Sequence, residues 1–186
     1  MKKFLTLLLA LAMTLSLAAC GAEPSDGGKD ADKDGYTVAI IKQMDHASLD
    51  EIADAIAARL DAIAQEQNVS IHYTITSGQG DQSVLKQLAD QAVADQVDAI
   101  IPIATTAAQV SAVAAEDSRT PVVYAAISDP DTAKLTGIDY VTGTSDALNT
   151  EFILDMMTAQ NPDVDNVGLL YSLSETNSAT PIAEAK

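Results

Sequence analysis

The chain has 186 residues with 27 acidic against 10 basic side chains, a formal charge of −17 at pH 7, 47% apolar residues, 4% aromatics and one cysteine. So acidic a surface repels phosphate backbones, which excludes nucleic-acid binding, and a lone cysteine excludes an internal disulfide framework. The apolar content suffices for one globular core, and the roughly 150 residues beyond the N-terminal segments fit one domain with the beginning of another.

Residues 1–19 hold Lys2 and Lys3, no acid, and an apolar run from Phe4 to Ala19 that ends in small residues. This is the layout of a signal peptide. A membrane-spanning helix needs about 20 apolar residues, whereas this run is shorter and leads straight into a Ser/Asp/Gly/Lys stretch. The string Leu17-Ala18-Ala19-Cys20-Gly21 resembles a bacterial lipobox, in which the cysteine is diacylated and becomes the first residue of the mature chain. The alternative is a free thiol beside an ordinary cleavage site. Each buried methylene contributes about 0.8 kcal/mol, so two acyl chains would hold a domain at a membrane surface. Cys20 is therefore expected to be a lipid anchor on the extracytoplasmic face of the cell membrane. Residues 20–35 form the lipidated N-terminus and linker; "GAEPSDGGKDADKDG" has no apolar period and reads as a tether with a reach of about 20 Å.

From Tyr36 the pattern becomes short apolar strands alternating with helical stretches. "YTVAIIKQ" reads as a buried strand. The next stretch places Leu49, Ile52, Ile56, Leu60 and Ile63 at spacings of three and four, with Ser48 and Glu51 as a capping box. "VSIHYTIT" alternates as a second strand, and "DQSVLKQLADQAVADQ" is amphipathic through Val84, Leu85, Leu88, Ala92 and Val93. "VDAIIPIA" is a third strand with Pro102 near its end, "TTAAQVSAVAAED" a helix and "TPVVYAAI" a fourth strand. This alternation predicts an α/β fold, a parallel sheet with helices on both faces.

Such sheets bind ligands outside the carboxyl ends of their strands. The segments there are "QMDHAS" (43–48), "SGQGDQ" (77–82), "ATT" (104–106) and "SDPD" (128–131), all polar or turn-forming. Any one of them also serves as an ordinary surface turn; four on one rim point to a site. Thr105 or Thr106 is expected to cap the helix that follows, whose unpaired first amides favour an anion such as a ligand carboxylate. "GQGD" lacks the lysine and spacing of a phosphate-binding loop, and His46 and His72 do not match a common zinc spacing. No cofactor or metal is expected.

"QMDHASLDE", "SGQGDQSVLKQLA", "IATTAAQ", "ISDP", "TGTSD" and "LLYSLSETNS" occur in this order. Together they resemble the substrate-binding lipoproteins of ABC importers of the tryptophan/tyrosine type, over Tyr36 to Lys186. The resemblance implies a periplasmic-binding-protein-like fold in which two α/β lobes close on a small, amino-acid-like ligand, with ABC permease subunits as partners. It implies first-lobe contacts at Gln43, His46, Thr105, Thr106, Ser128 and Asp129, and second-lobe contacts at Ser174, Glu175 and Asn177. The family often has proline where this chain has Ala47, Thr106, Leu173 and Thr176.

On this reading residues 36–140 form the first lobe and 141–186 a hinge and an incomplete second lobe. The latter holds a helix with Phe152, Ile153, Met156 and Met157 inward, then a strand in "NVGLLY". One strand and part of a helix cannot bury a core of their own, so a truncated second lobe is expected. Two other functions compete. A sensor lobe presenting its ligand to a membrane receptor would share fold and tether. A hydrolase would draw on Asp45, His46, Asp81 and Asp129, but His46 lacks a usable second histidine on the rim, since His72 lies within a strand. The chain is not expected to be an enzyme.

Overall fold

The computed structural model describes residues 35–173 and 176–186, the Thr176 side chain excepted. The signal segment, Cys20 and the tether up to residue 34 lie outside the described residues, as do Ser174 and Glu175. Five strands, β1 (Tyr36–Lys42), β2 (Ile71–Ser77), β3 (Ala99–Ile103), β4 (Val122–Ile127) and β5 (Val141–Ser145), form a sheet in the order β2-β1-β3-β4-β5. Every pairing is parallel. The helices among the described residues are α1 (Ala47–Gln67), α2 (Gln82–Ala94), α3 (Thr105–Ala114), α4 (Thr150–Gln160) and α5 (Ala179–Glu184).

The run "VAII" in β1 supplies both faces of the sheet, because successive strand side chains point to opposite sides. Ala39 and Ile41 pack with Leu85, Ala89 and Ala92 of α2 and with Ala107 of α3. Val38 and Ile40 pack on the other side with Ala53 of α1, flanked by Leu49, Ile52, Ile56 and Leu60. Ile40 is fully buried, and such burial stabilises by roughly 1.5–3 kcal/mol. A third cluster joins Ala108 and Ala112 of α3 to Tyr124, Ile127, Ala133 and Leu135.

Local chemistry sets the ends of these elements. The expected Ser48–Glu51 capping box is not what starts α1: the N-cap is His46, whose Nδ1 accepts from the Ser48 amide at 3.3 Å. Asn68 ends α1 in the left-handed region, φ 52°, where its side chain is better tolerated than most. Asp81 caps α2 by accepting from the amides of Ser83 and Val84. Pro102 is the penultimate residue of β3. Ile100 and Ala104 donate toward β4 through their amides, so the donor that proline lacks falls between them, and the ladder there is thinned to Ile100↔Val122 and Ile103↔Ala125.

Three departures from expectation lie C-terminal to β4. Val141–Ser145, read from sequence as the start of a crossing, is a strand paired with β4. Gly143 makes this possible, because a Cβ there would lie 2.1 Å from the Tyr124 carbonyl oxygen. The apolar face of α4 is not inward: Phe152 is 58% exposed, and Ile153, Met156 and Met157 are exposed as well. Residues 166–171 form no strand; no neighbouring ladder takes up their backbone, and Leu170 is fully exposed.

Candidate functional site

A parallel sheet delivers all its carboxyl ends to one edge, so the loops after β1 to β5 share a rim. Backbone bonds stitch neighbouring loops together: Gln43 N to Ile103 O (3.2 Å), Gly80 N to Gln43 O (2.9 Å), Ala104 N to Ala125 O (3.1 Å) and Asp146 N to Ile127 O (3.3 Å). Three non-glycine residues near this edge have positive φ, Gln79 (54°), Ala104 (77°) and Ala126 (58°). Such backbones cost roughly 1–3 kcal/mol each and persist where the surroundings impose them.

Gln43 and Thr106 are brought into direct contact. The Gln43 Oε1 accepts from the Thr106 amide at 3.0 Å, occupying one of the unpaired amides that open α3. The expected hydroxyl cap is absent: the N-cap position belongs to Ala104, with no side-chain cap bond. Thr105 is 6% exposed and turns into the core. His46 stands at the head of α1, engaged with Ser48.

Ser128 donates its hydroxyl to Asp146 Oδ1 at 3.0 Å. Asp129 is saturated with donors: Oδ1 accepts from the Thr132 amide (2.9 Å), and Oδ2 accepts from the hydroxyls of Thr132 (2.7 Å) and Thr180 (2.5 Å). The Thr132 amide, then the hydroxyls of Thr180 and Thr132, hold this carboxyl at about 2, below its ordinary 3.8. Asn177 lies in a 3₁₀ turn, Thr176–Ser178, directly before α5. Thr180 thus ties that segment to the loop after β4.

Sequence reasoning missed Lys42, Asp146 and Thr180. Lys42 closes β1 with a side chain only 13% exposed, and it pairs with Asp50 and, at 3.1 Å, with Asp45. Those hydrogen bonds, Asp50 first, raise its pKa against the effect of burial. Asp45 is lowered in turn by Lys42 and then by Ser77. The apolar strand ending in a lone lysine, followed by Asp45 and Asp50 on the next turn, was the available signal. Asp146 was hidden because β5 was not recognised. Thr180 lies 51 residues from its partner, beyond any local pattern.

The acids and histidine weighed for hydrolysis are not assembled. Asp45 serves Lys42, His46 serves Ser48, Asp81 caps α2 and Asp129 holds threonines. Among the described residues no group of three or more His, Cys, Asp or Glu is placed to hold a metal. A groove of about 760 Å³ runs between α2 and α3, past Gln82, Lys86, Gln109 and Val113. Its Lys86 is already paired with Asp90 on α2, and the rim, where the carboxyl ends of the strands meet, remains the better candidate. No helix among the described residues is long and apolar enough to cross a membrane.

The family described as ABC transporter substrate binding protein matches residues 37–186. A tyrosine-binding protein of Clostridioides difficile (strain R20291) is 28% identical over 188 residues, 95% of this chain and 54% of that protein. The ABC domain from Streptococcus pneumoniae in complex with L-Trp is 34% identical, with a TM-score of 0.73 over 82% of this chain and 52% of that one. A ligand-free, open substrate binding protein with adhesive properties from Clostridium difficile shares the fold, at 24% identity and a TM-score of 0.62, with 80% of this chain and 51% of that one covered. The chain spans about half the length of the relatives it matches.

Proposed function

The chain belongs to the ABC transporter substrate binding proteins, and from that premise we propose that it captures a small amino-acid-like ligand, one with an aromatic side chain, for import across the membrane. The reading takes the protein to be extracytoplasmic, lipid-anchored through Cys20, and a partner of ABC permease subunits. The observation that carries the ligand reading is the Gln43–Thr106 bond at the head of α3. It marks a backbone amide donor on the same rim as Ser128 and Asp129, so a donor for a ligand carboxylate, in the place that Gln43 Oε1 fills, and a carboxylate acceptor for the ligand ammonium stand on one edge. Asp129, Asn177 and the segment with Ser174 and Glu175 are the proposed counterpart for the ligand ammonium. The 34% identical relative crystallised with L-Trp and the 28% identical tyrosine-binding protein support the aromatic choice.

Titration calorimetry of the full chain with L-tryptophan, L-tyrosine and L-leucine tests this. Saturable heat with one or both aromatic amino acids and weaker heat with leucine is the expected outcome. Equal heats with all three would overturn the aromatic preference, and none with any would overturn the amino-acid reading.

A further inference from the structure

Helix α5 is six residues long, buries no side chain, and has no side-chain cap at its N-terminus. A helix so short is not stable by itself, and it gains little from apolar packing. Two polar contacts between distant parts of the chain hold it. Near its start the Thr180 hydroxyl donates to Asp129 Oδ2 at 2.5 Å, and at its end Glu184 Oε2 accepts from the Thr150 hydroxyl, which opens α4, at 2.8 Å. The element therefore bridges the loop after β4 and the head of α4, clipped at both ends by bonds to carboxylates. Segments held by polar contacts with few buried apolar ones open at the low end of a protein's local stability range.

We propose that α5 is a releasable strap across the β4 end of the rim, closed by Thr180 on Asp129 and by Glu184 on Thr150, and that its release frees an acceptor on Asp129 for a ligand's ammonium group. The second half rests on the functional reading above; the strap does not. When Thr180 leaves, Oδ2 keeps the Thr132 hydroxyl and recovers one acceptor position, while the Thr132 amide still fixes the carboxylate's orientation through Oδ1. An ammonium, with three donors, suits the vacated position.

Hydrogen exchange of the full chain, read by mass spectrometry, tests the strap without any ligand. Thr180→Val and Thr150→Val should each speed exchange of the amides in residues 176–185 by about tenfold, the loss of one bond to a charged acceptor, and leave β1 and β3 unchanged. Thr180→Ser, which keeps the hydroxyl, should exchange as the wild type does. Unchanged exchange in both valine variants overturns the proposal, and so does faster exchange throughout β1 and β3, which would make the contacts part of the global fold. With L-tryptophan as probe, Thr180→Val should raise the association rate; an unchanged rate overturns the release step. Failure of the wild type to bind the probe would instead count against the functional reading and leave the exchange result standing.

Discussion

At the scale of single residues the rim is governed by who already holds whom. Asp129 has the clearest energetic consequence. Its folded value of about 2 lies below the ordinary 3.8, so the carboxylate contributes stability that is fully present above pH 3.8 and is lost as pH falls through about 2. Asp129→Asn removes that contribution. The difference in melting temperature between wild type and variant should be largest above pH 4 and shrink toward pH 2; a difference that stays constant across this range would show that the bonds from Thr132 and Thr180 do not favour the charged form. Gln43, Thr106, Ser128 and Asp129 were legible as rim residues because they follow apolar strands. Their partners were not, since Gln43 meets an amide 63 residues away and Ser128 a carboxylate 18 residues away.

Elements show where a periodic pattern suffices and where it does not. Strands β1 to β4 and helices α1 to α3 were legible because their apolar spacing matches the layers they pack into. Strand β5 was not, because "VTGTS" is mostly exposed and its place depends on a glycine meeting the Tyr124 backbone. The side chains of Phe152, Ile153, Met156 and Met157 on α4 were read as inward and are exposed, because the period of a helix says nothing about what covers it. The β5 argument is testable at Gly143. Gly143→Ala would put a methyl 2.1 Å from the Tyr124 carbonyl and 2.4 Å from its ring, and should destabilise by about 1–3 kcal/mol. Gly168→Ala, with nothing within 4 Å, should stay within about 0.5 kcal/mol of wild type. Calorimetric unfolding of the two variants would measure the contrast, and equal effects would remove Gly143 from the account of β5.

For the whole molecule, the acidic charge bears on the proposed lipid anchor. A chain of formal charge −17 is repelled by an anionic lipid surface, so residence at the membrane depends on the proposed anchor. The proposed anchor is acylation of Cys20. Cell fractionation checks it: the wild-type chain is expected with membranes, carrying the added mass of acyl groups, and Cys20→Ala in the soluble fraction. A soluble wild type of unmodified mass would leave Cys20 as a plain thiol.

The strand order carries a kinetic consequence. The first strand made is an interior one: Tyr36 partners Ile71 on one side, and Val38 partners Ala99 on the other. Closing such long loops costs entropy before any ladder bond compensates it, so parallel sheets with sequence-distant pairings fold slowly. While the N-terminal third of this chain emerges from the ribosome, β1 has no complete set of neighbours and cannot settle. The nascent chain stays open until β3 has been synthesised, an interval in which machinery that handles unfolded polypeptide has the first opportunity to engage it.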